Sequence, residues 1–347
     1  MKAVQAMPDA DGARRLALPS PRGPLSERLF AALLEDPGQK LGCPDQDLPP
    51  DPISDHDLQL ALYVINELHY ADIAEVDERW EWAPGLAGFR SMLEDAFLSA
   101  VEELVPDPDP RDLVSIGHTL RRLVLEDDGP PLSSYMAREG TLEQMIEHVV
   151  HRSAYQLKEA DPHSFVIPRL APSAKTALLE IQFDEYGGGQ LDRMHAVLFA
   201  NTMRELGLDP TYGAYIDKLP GITLATVNLM TLFGLHRRLR GALLGHLAIF
   251  EMTSAIPNRR YGNALRRLGY SGPVTAFYDE HVEADSVHEE IAAWDLAGGL
   301  TATEPALASD VLFGARALLA LEGEWGTQLL RSWASGETSL LEAVALV

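Results

Sequence analysis

One pattern constrains this chain more than any other. Capped segments with apolar residues every three or four positions follow one another from end to end, and that spacing is the signature of amphipathic helices. "SERLFAALLED" has it first. "SDHDLQLALYVINELHYADI" opens with Ser54 and carries Asp57 three later, a variant of the capping box. "AGFRSMLEDAFLSAVEELV" continues the spacing, and "DPRDLVSIGHTLRRLVLED" starts at Asp109-Pro110, a cap followed by proline at the first helical position. "TLEQMIEHVVHRSAYQLKEA" pairs Thr141 with Gln144. "PSAKTALLEIQFDEY" and "QLDRMHAVLFANTMRELGL" flank three glycines. "TLATVNLMTLFGLHRRLRGALLGHLAIFEMTSA" reads as one helix of about nine turns, bent at Gly241 or Gly245. "GPVTAFYDEHVEADSVHEEIAAWDLAGGL" reads as ending at its glycine pair, and a last long helix follows in the tail. No run of alternating β-branched residues with hairpin turns interrupts the series. The expectation is an all-α fold. Residues 1–140 form a helical N-terminal extension whose first 23 residues are a loose arm, and residues 141–347 form the core.

Charge narrows the function. Acidic residues outnumber basic ones 52 to 28 in 347 residues, for a net charge of −24. Nucleic acid needs clustered Lys and Arg to displace counterions, and the best candidate, "HRRLR", is short, so nucleic acid and anionic membrane surfaces are not expected partners. No apolar tract reaches the roughly 20 residues of a membrane span, and no apolar leader opens the sequence, so the expected location is cytoplasmic. The lone Cys43 rules out an intrachain disulfide or a cysteine zinc site. There is no G-x-S-x-G elbow, Walker loop or Rossmann fingerprint.

The chemistry lies in carboxylates and imidazoles on apolar helices. His281, Asp285 and His288 are spaced i, i+4, i+7, which puts them within about 40° of one another around a helix. Glu251 sits in "GHLAIFEMTSA", where an unpaired carboxylate is costly. Glu159 precedes an Asp-Pro stop, while Glu185 and His195 flank the glycines. Inward carboxylates and histidines from several helices are how bundles build two-metal centres, and the four carboxylates among these seven residues balance two divalent ions. His69, His148, His151, His163 and His246 compete as ligands. His148 and His151 sit among polar neighbours and read as surface residues. His246, near Glu251, reads as a support to the ligands. Arg169, Arg259, Arg260 and Tyr261 are candidates for meeting a substrate carboxylate, Arg260 and Tyr261 foremost.

The stretch "EADPHSFVIPRLAPSAKTALLEIQFDEYGGGQLDRMHAVLF" resembles the haem-oxygenase-like di-iron oxidases, also described as iron-containing redox enzymes. "INELHYADIAEVDERWEW" and the spaced E…HxxxDxxH from Glu251 to His288 resemble the same family. The resemblance implies a haem-oxygenase-like helical bundle holding two irons, Fe(II) or Fe(III), and no haem. Its ligands would be Glu159, Glu185, His195, Glu251, His281, Asp285 and His288. O2 is implied as co-substrate and an external reductant as electron donor. Glu251 matches a carboxylate found in members that oxidise nitrogen. The implied activity is therefore N-oxygenation of an amine, amino acid, guanidine or amino-heterocycle, toward nitroso or nitro products. The alternatives are oxidative desaturation or C–C cleavage of an amino or fatty acid, and metal binding without catalysis. A homodimer paired through the N-terminal extension is expected.

The glycines pose a geometric problem. On a straight helix Glu185 and His195 stand about 15 Å apart along the axis and about 80° apart around it. To serve one metal pair, the helix must break or loop out at "YGGGQLD".

Overall fold

The computed structural model describes residues 14–38, 41–42 and 48–344, apart from the side chains of residues 285 and 286. Cys43 and the side chain of Asp285 lie outside the described residues. The chain forms α1 (Pro24–Leu33), α2 (His56–Glu67), α3 (Pro84–Leu104), α4 (Ile116–Glu126), α5 (Leu132–Arg138), α6 (Leu142–Gln156) and α7 (Asp161–Ser164). It continues as α8 (Pro172–Glu185), α9 (His195–Glu205), α10 (Gly221–Leu235), α11 (Arg240–Arg267), α12 (Pro273–Glu290), α13 (Gly299–Thr303) and α14 (Ala308–Ala334). The only described strands, β1 (Arg15–Leu16) and β2 (Asp72–Ile73), pair in parallel over two residues. The fold is an all-α bundle, as the periodicity requires.

The local signals act mostly where the sequence puts them, with instructive exceptions. Thr141 and Gln144 close a full capping box on α6. For α2 the cap is Asp55, whose side chain accepts from the amides of Asp57 and Leu58. Asp57 instead caps a different helix, accepting from the amides of Leu25 at 2.8 Å and Ser26 at 2.9 Å in α1. Asp109 caps a short 3-10 turn, and α4 starts later, after Ser115. The expected nine-turn helix is two helices. His236 is extended, with φ −96° and ψ 112°, and Arg169 donates to the last carbonyls of α10, those of Gly234 and Leu235. Arg169 thus serves as a C-terminal cap. Gly241 and Gly245 bend nothing, because they let α11 approach α14. A Cβ on Gly245 would lie 1.8 Å from the Val311 oxygen, and one on Gly314 would lie 1.9 Å from the Ala242 oxygen. The Gly298–Gly299 pair does not stop α12 either. Both glycines keep right-handed helical dihedrals, and the helix widens into a π-helix over Ile291–Gly298 before continuing as α13. Burial of Ala292, Ala293, Leu296 and Ala297 there outweighs glycine's preference for a stop.

The segment expected as a loose arm is outside the described residues up to residue 13. From residue 14 on it is fastened down. Leu16 is buried, and the Arg22 guanidinium donates to the carbonyls of Leu219 at 2.8 Å and Ile216 at 2.6 Å. α2 packs on α10 and α5 on α11, so one continuous apolar core joins the N-terminal helices to the rest.

His148 and His151 are buried rather than on the surface. Their polar neighbours misled because those neighbours have internal partners. Glu147 accepts from the Trp333 indole, at 2.8 Å, and from Ser339, while Arg152 pairs with Glu322. His151 bonds the hydroxyls of Thr223 at 2.7 Å and Ser339 at 3.0 Å. Burial, aided by the Arg152 charge, pushes its pKa down to about 3 and that of His148 well below the usual 6.5.

Two predictions follow from this packing. Gly245→Ala should lower stability by about 1–3 kcal/mol through overpacking, whereas Gly88→Ala, with nothing within 4 Å of the new Cβ, should not. Thermal melts of the two variants compare them directly. The unfolded chain protonates His148 and His151 near pH 6.5 but the folded chain does not, so stability should fall as pH drops below that value. Each histidine contributes up to about 1.4 kcal/mol per pH unit. Melts from pH 7.5 to 5 should show the fall, and His151→Gln should make it shallower by one histidine's share.

Candidate metal centre

Glu159 stands in the turn after α6, where Ala160 takes a left-handed φ of 73°. An L-residue adopts that conformation at a cost of about 1–2 kcal/mol, so the surroundings must hold it. Lys158, fully buried, pairs with the equally buried Glu67, and its ammonium lies 4.2 Å from the centre of the Tyr70 ring. Asp161 pairs with Arg14 and accepts from the Tyr186 hydroxyl at 2.7 Å. The Gln182 amide donates to the Ala160 carbonyl at 3.0 Å. These bonds tie the Glu159 turn to α8, the helix that carries Glu185.

The glycines then turn the chain back. α8 stops at Glu185, and Gly187, Gly188 and Gly189 take φ values of 68°, 60° and 77°, which only glycine adopts cheaply. A Cβ on Gly187 would lie 2.5 Å from the Met194 amide nitrogen, so the two arms of the loop touch. α9 begins at His195, whose Nδ1 lies 2.9 Å from a Glu185 oxygen. The helix does break at the glycines, and ten residues of sequence separation close to a side-chain contact.

α11 contributes Glu251, and α12 contributes His281 and His288. Two groupings result, with ligand atoms within 4.8 Å of one another. One is Glu159, Glu185, His195 and His281; the other is Glu185, Glu251 and His288. Glu185 belongs to both, and all six are buried. A small void lined by Glu159, Glu185, Glu251 and His281 lies among them. Six of the seven sequence candidates therefore converge, the seventh being Asp285.

Protonation follows from the surroundings. Burial raises the Glu185 pKa, but His195, His281 and His288 oppose it and hold the carboxyl below its usual range. Burial lowers His195, yet the facing Glu185 lifts it above normal. Burial and the charge of Glu185 push Glu251 up, against the hydrogen bond from His288. His288 is raised to about 9: its burial acts downward and is outweighed by Glu251 and Asp184. Nδ1 of His288 lies 3.3 Å from Glu251, and Nε2 lies 3.1 Å from Asp184. Asp184 escaped the sequence reading, although it directly precedes Glu185; a carboxylate on the far side of a ligand imidazole fixes its orientation. His281 Nδ1 is 2.8 Å from the Phe277 carbonyl. A carbonyl only accepts, so Nδ1 carries a proton and Nε2 is the nitrogen turned to the Glu159 side, 3.6 Å from that carboxylate.

The donor set fits divalent metal. Glu159 Oε2 and both ring nitrogens of His195 are buried without an aligned hydrogen bond among the described residues, although His195 Nδ1 stands 2.9 Å from Glu185. Such orphaned groups are costly unless something else satisfies them. Carboxylates with imidazoles suit iron or manganese.

Of the remaining candidates, His163 lines the same small void as Glu159, Glu185, Glu251 and His281 without joining either grouping. His69 contacts Glu81 at 2.7 Å, and His163 and His246 face each other at 3.5 Å. Arg259 and Arg260 are exposed, with Arg260 reaching Ser133. Tyr261 is buried and lines a cavity of about 220 Å³ that also touches Glu159 and His281. No described helix is long and apolar enough to cross a membrane.

Residues 146–323, which include every residue of both groupings, match the family described as iron-containing redox enzyme, and the chain belongs to that family. Among curated proteins, a nitrosourea synthase from Streptomyces achromogenes subsp. streptozoticus is 26% identical over 136 residues. That match covers 39% of this chain and 29% of the relative, so the chain matches under a third of that enzyme's length.

Replacing one crowded carboxylate exposes the strain of assembling the site. Glu251→Gln should raise the thermal midpoint of the metal-free protein, because it removes a buried charge and keeps a partner for His288. In excess Mn(II) the ranking should reverse, since the wild type gains more from metal binding. Melts with and without Mn(II) measure both.

Proposed function

We propose that this chain is a non-haem di-iron oxygenase that uses O2 to oxidise the nitrogen of a small amine-type substrate. The observation that carries the reading is the pair of buried clusters sharing Glu185, with Glu251 as a third carboxylate. The family supports an iron-dependent redox enzyme, and the relative named for nitrosourea synthesis supports nitrogen as the atom attacked.

In this reading Glu159, Glu185, His195, Glu251, His281 and His288 would hold two irons, with Asp285 as the seventh ligand. Two irons so bound supply redox chemistry that no side chain provides. Each hydroxylation of an amine to a hydroxylamine consumes one O2, two electrons from an external reductant and two protons, and releases one water. The protein's own residues do the rest. The Phe277 carbonyl holds a proton on His281 Nδ1 and so turns Nε2 to the Glu159 side, and Asp184 holds the outer nitrogen of His288. The tie between the Glu159 turn and α8 fixes the spacing of the two ligand arms. Helices α5, α6, α11, α12 and α14 and the loop of residues 127–130 line the cavity that leads to Glu159 and His281, which offers a substrate an approach to the site.

Anaerobic loading with Fe(II) should give two irons per chain by elemental analysis. Exposure to 18O2 with a panel of amino acids, amines and amino-azoles should place 18O on nitrogen in one product, read by mass. Glu251→Ala should abolish that product. Full N-oxygenation by Glu251→Ala would remove Glu251 from the ligand set, and carbon-centred products alone would refute nitrogen oxidation.

A further inference from the structure

The cavity beside the candidate metal centre has a polar pole of its own. His148, Arg152 and Gln156 follow at i, i+4 and i+8 on one face of α6, and Glu159 comes three residues later; all four line the cavity. The Arg152 guanidinium is bonded to both oxygens of Glu322 on α14, at 2.8 and 2.5 Å, and stacks 3.9 Å from the centre of the Trp325 ring. Glu322 engages two of its five N–H donors, and no other acceptor among the described residues reaches it. Three more cavity-lining groups lack partners among the described residues: both ring nitrogens of His148, the Tyr278 hydroxyl and the Gln156 amide oxygen. His148 and Tyr278 are 2% and 1% exposed. Unsatisfied polar groups are rare in buried places, and here they flank an opposed pair of full charges.

Building on the N-oxygenase reading, we propose that Arg152 and Glu322 are the specificity pair for an α-amino-acid zwitterion, its carboxylate on Arg152 and its ammonium on Glu322. A guanidinium fork suits a carboxylate, and the lone pairs left on Glu322 suit an ammonium. Seven residues of α6 and the following turn separate Arg152 from Glu159, about 10 Å along the axis. A side chain of four or five atoms beyond the α-carbon spans about 6 Å, enough to bring a terminal nitrogen toward Glu159 and His281. The substrate class is thus an amino acid with a basic side chain. The pairing also sets which nitrogen is delivered: the α-ammonium is held at Glu322, beside Arg152 and so about 10 Å from Glu159, and the distal nitrogen is the one brought toward Glu159 and His281.

Calorimetry on the full chain, anaerobic and Fe(II)-loaded, tests this with L-lysine, L-ornithine and L-arginine as probes. At least one should bind, and its decarboxylated amine and its Nα-acetyl derivative should each bind about tenfold more weakly or worse. Arg152→Met should weaken the amino acid by a similar factor and leave the weak binding of the decarboxylated amine unchanged, and Arg152→Lys should recover part of the loss. Absence of binding by all three probes, equal affinity for an amino acid and its decarboxylated amine, or equal weakening of both by Arg152→Met would overturn the proposal. The last result would make the pair a brace between α6 and α14. If Arg152→Met does not fold, Arg152→Met/Glu322→Met, which leaves no unpaired charge, takes its place; there the amino acid should lose its preference over both derivatives, and a retained preference would overturn the proposal. Binding is read without O2. An amino acid that binds as described but gains no oxygen on nitrogen therefore refutes the N-oxygenase reading and leaves this one standing.

Discussion

Three buried carboxylates meet at one place in the bundle: Glu185 lies within reach of Glu159 in one cluster and of Glu251 in another, among His195, His281 and His288. Two unit charges 4 Å apart repel by about 4 kcal/mol at an effective dielectric of 20, and burial adds the loss of hydration. A chain that only had to fold would not gather such groups in an apolar bundle. The protein moderates the repulsion by interleaving imidazoles, so Glu185 is held as an anion facing a His195 raised above its usual pKa. Much of the local structure serves to keep this assembly in place.

Irregular backbone adjoins it on three elements. The left-handed Ala160 follows Glu159, the three positive-φ glycines follow Glu185, and the π-helix begins three residues after His288. Departures of this kind re-aim side chains that a regular helix would carry off in the wrong direction. Their support comes from further away. The Lys158–Glu67 pair and the Asp161–Tyr186 bond brace the Glu159 turn from α2 and from the end of α8. The glycine-mediated contact of α11 with α14 draws together two of the helices that line the adjoining cavity. The N-terminal helices therefore share a core with the helices that carry the cluster and also support it.

Much of this was legible in the sequence. Helical spacing gave the all-α class, and carboxylates and imidazoles at helical intervals on apolar segments gave the candidates. Glycine's dihedral freedom, set against the 15 Å that a straight helix would impose, gave the break between Glu185 and His195. The failures share one cause. Asp57 caps α1 from another helix, Gly245 receives the backbone of α14, and His148 is buried because the polar residues around it find internal partners. In each case the deciding neighbour is distant in sequence, and local pattern carries no information about it.

The division between the two levels is physical. Periodicity, caps and glycine act through bonds between residues a few positions apart, so the sequence by itself determined the helices, the break and the identity of the buried acids and bases. Which atoms of those groups meet was decided only by the tertiary structure. The sharing of Glu185 by two clusters, the proton on His281 Nδ1, the Asp184 contact to His288 and the Arg152–Glu322 pair on Trp325 all depend on contacts between side chains on different elements. Such contacts form only when the helices pack, and packing is set by the whole core at once.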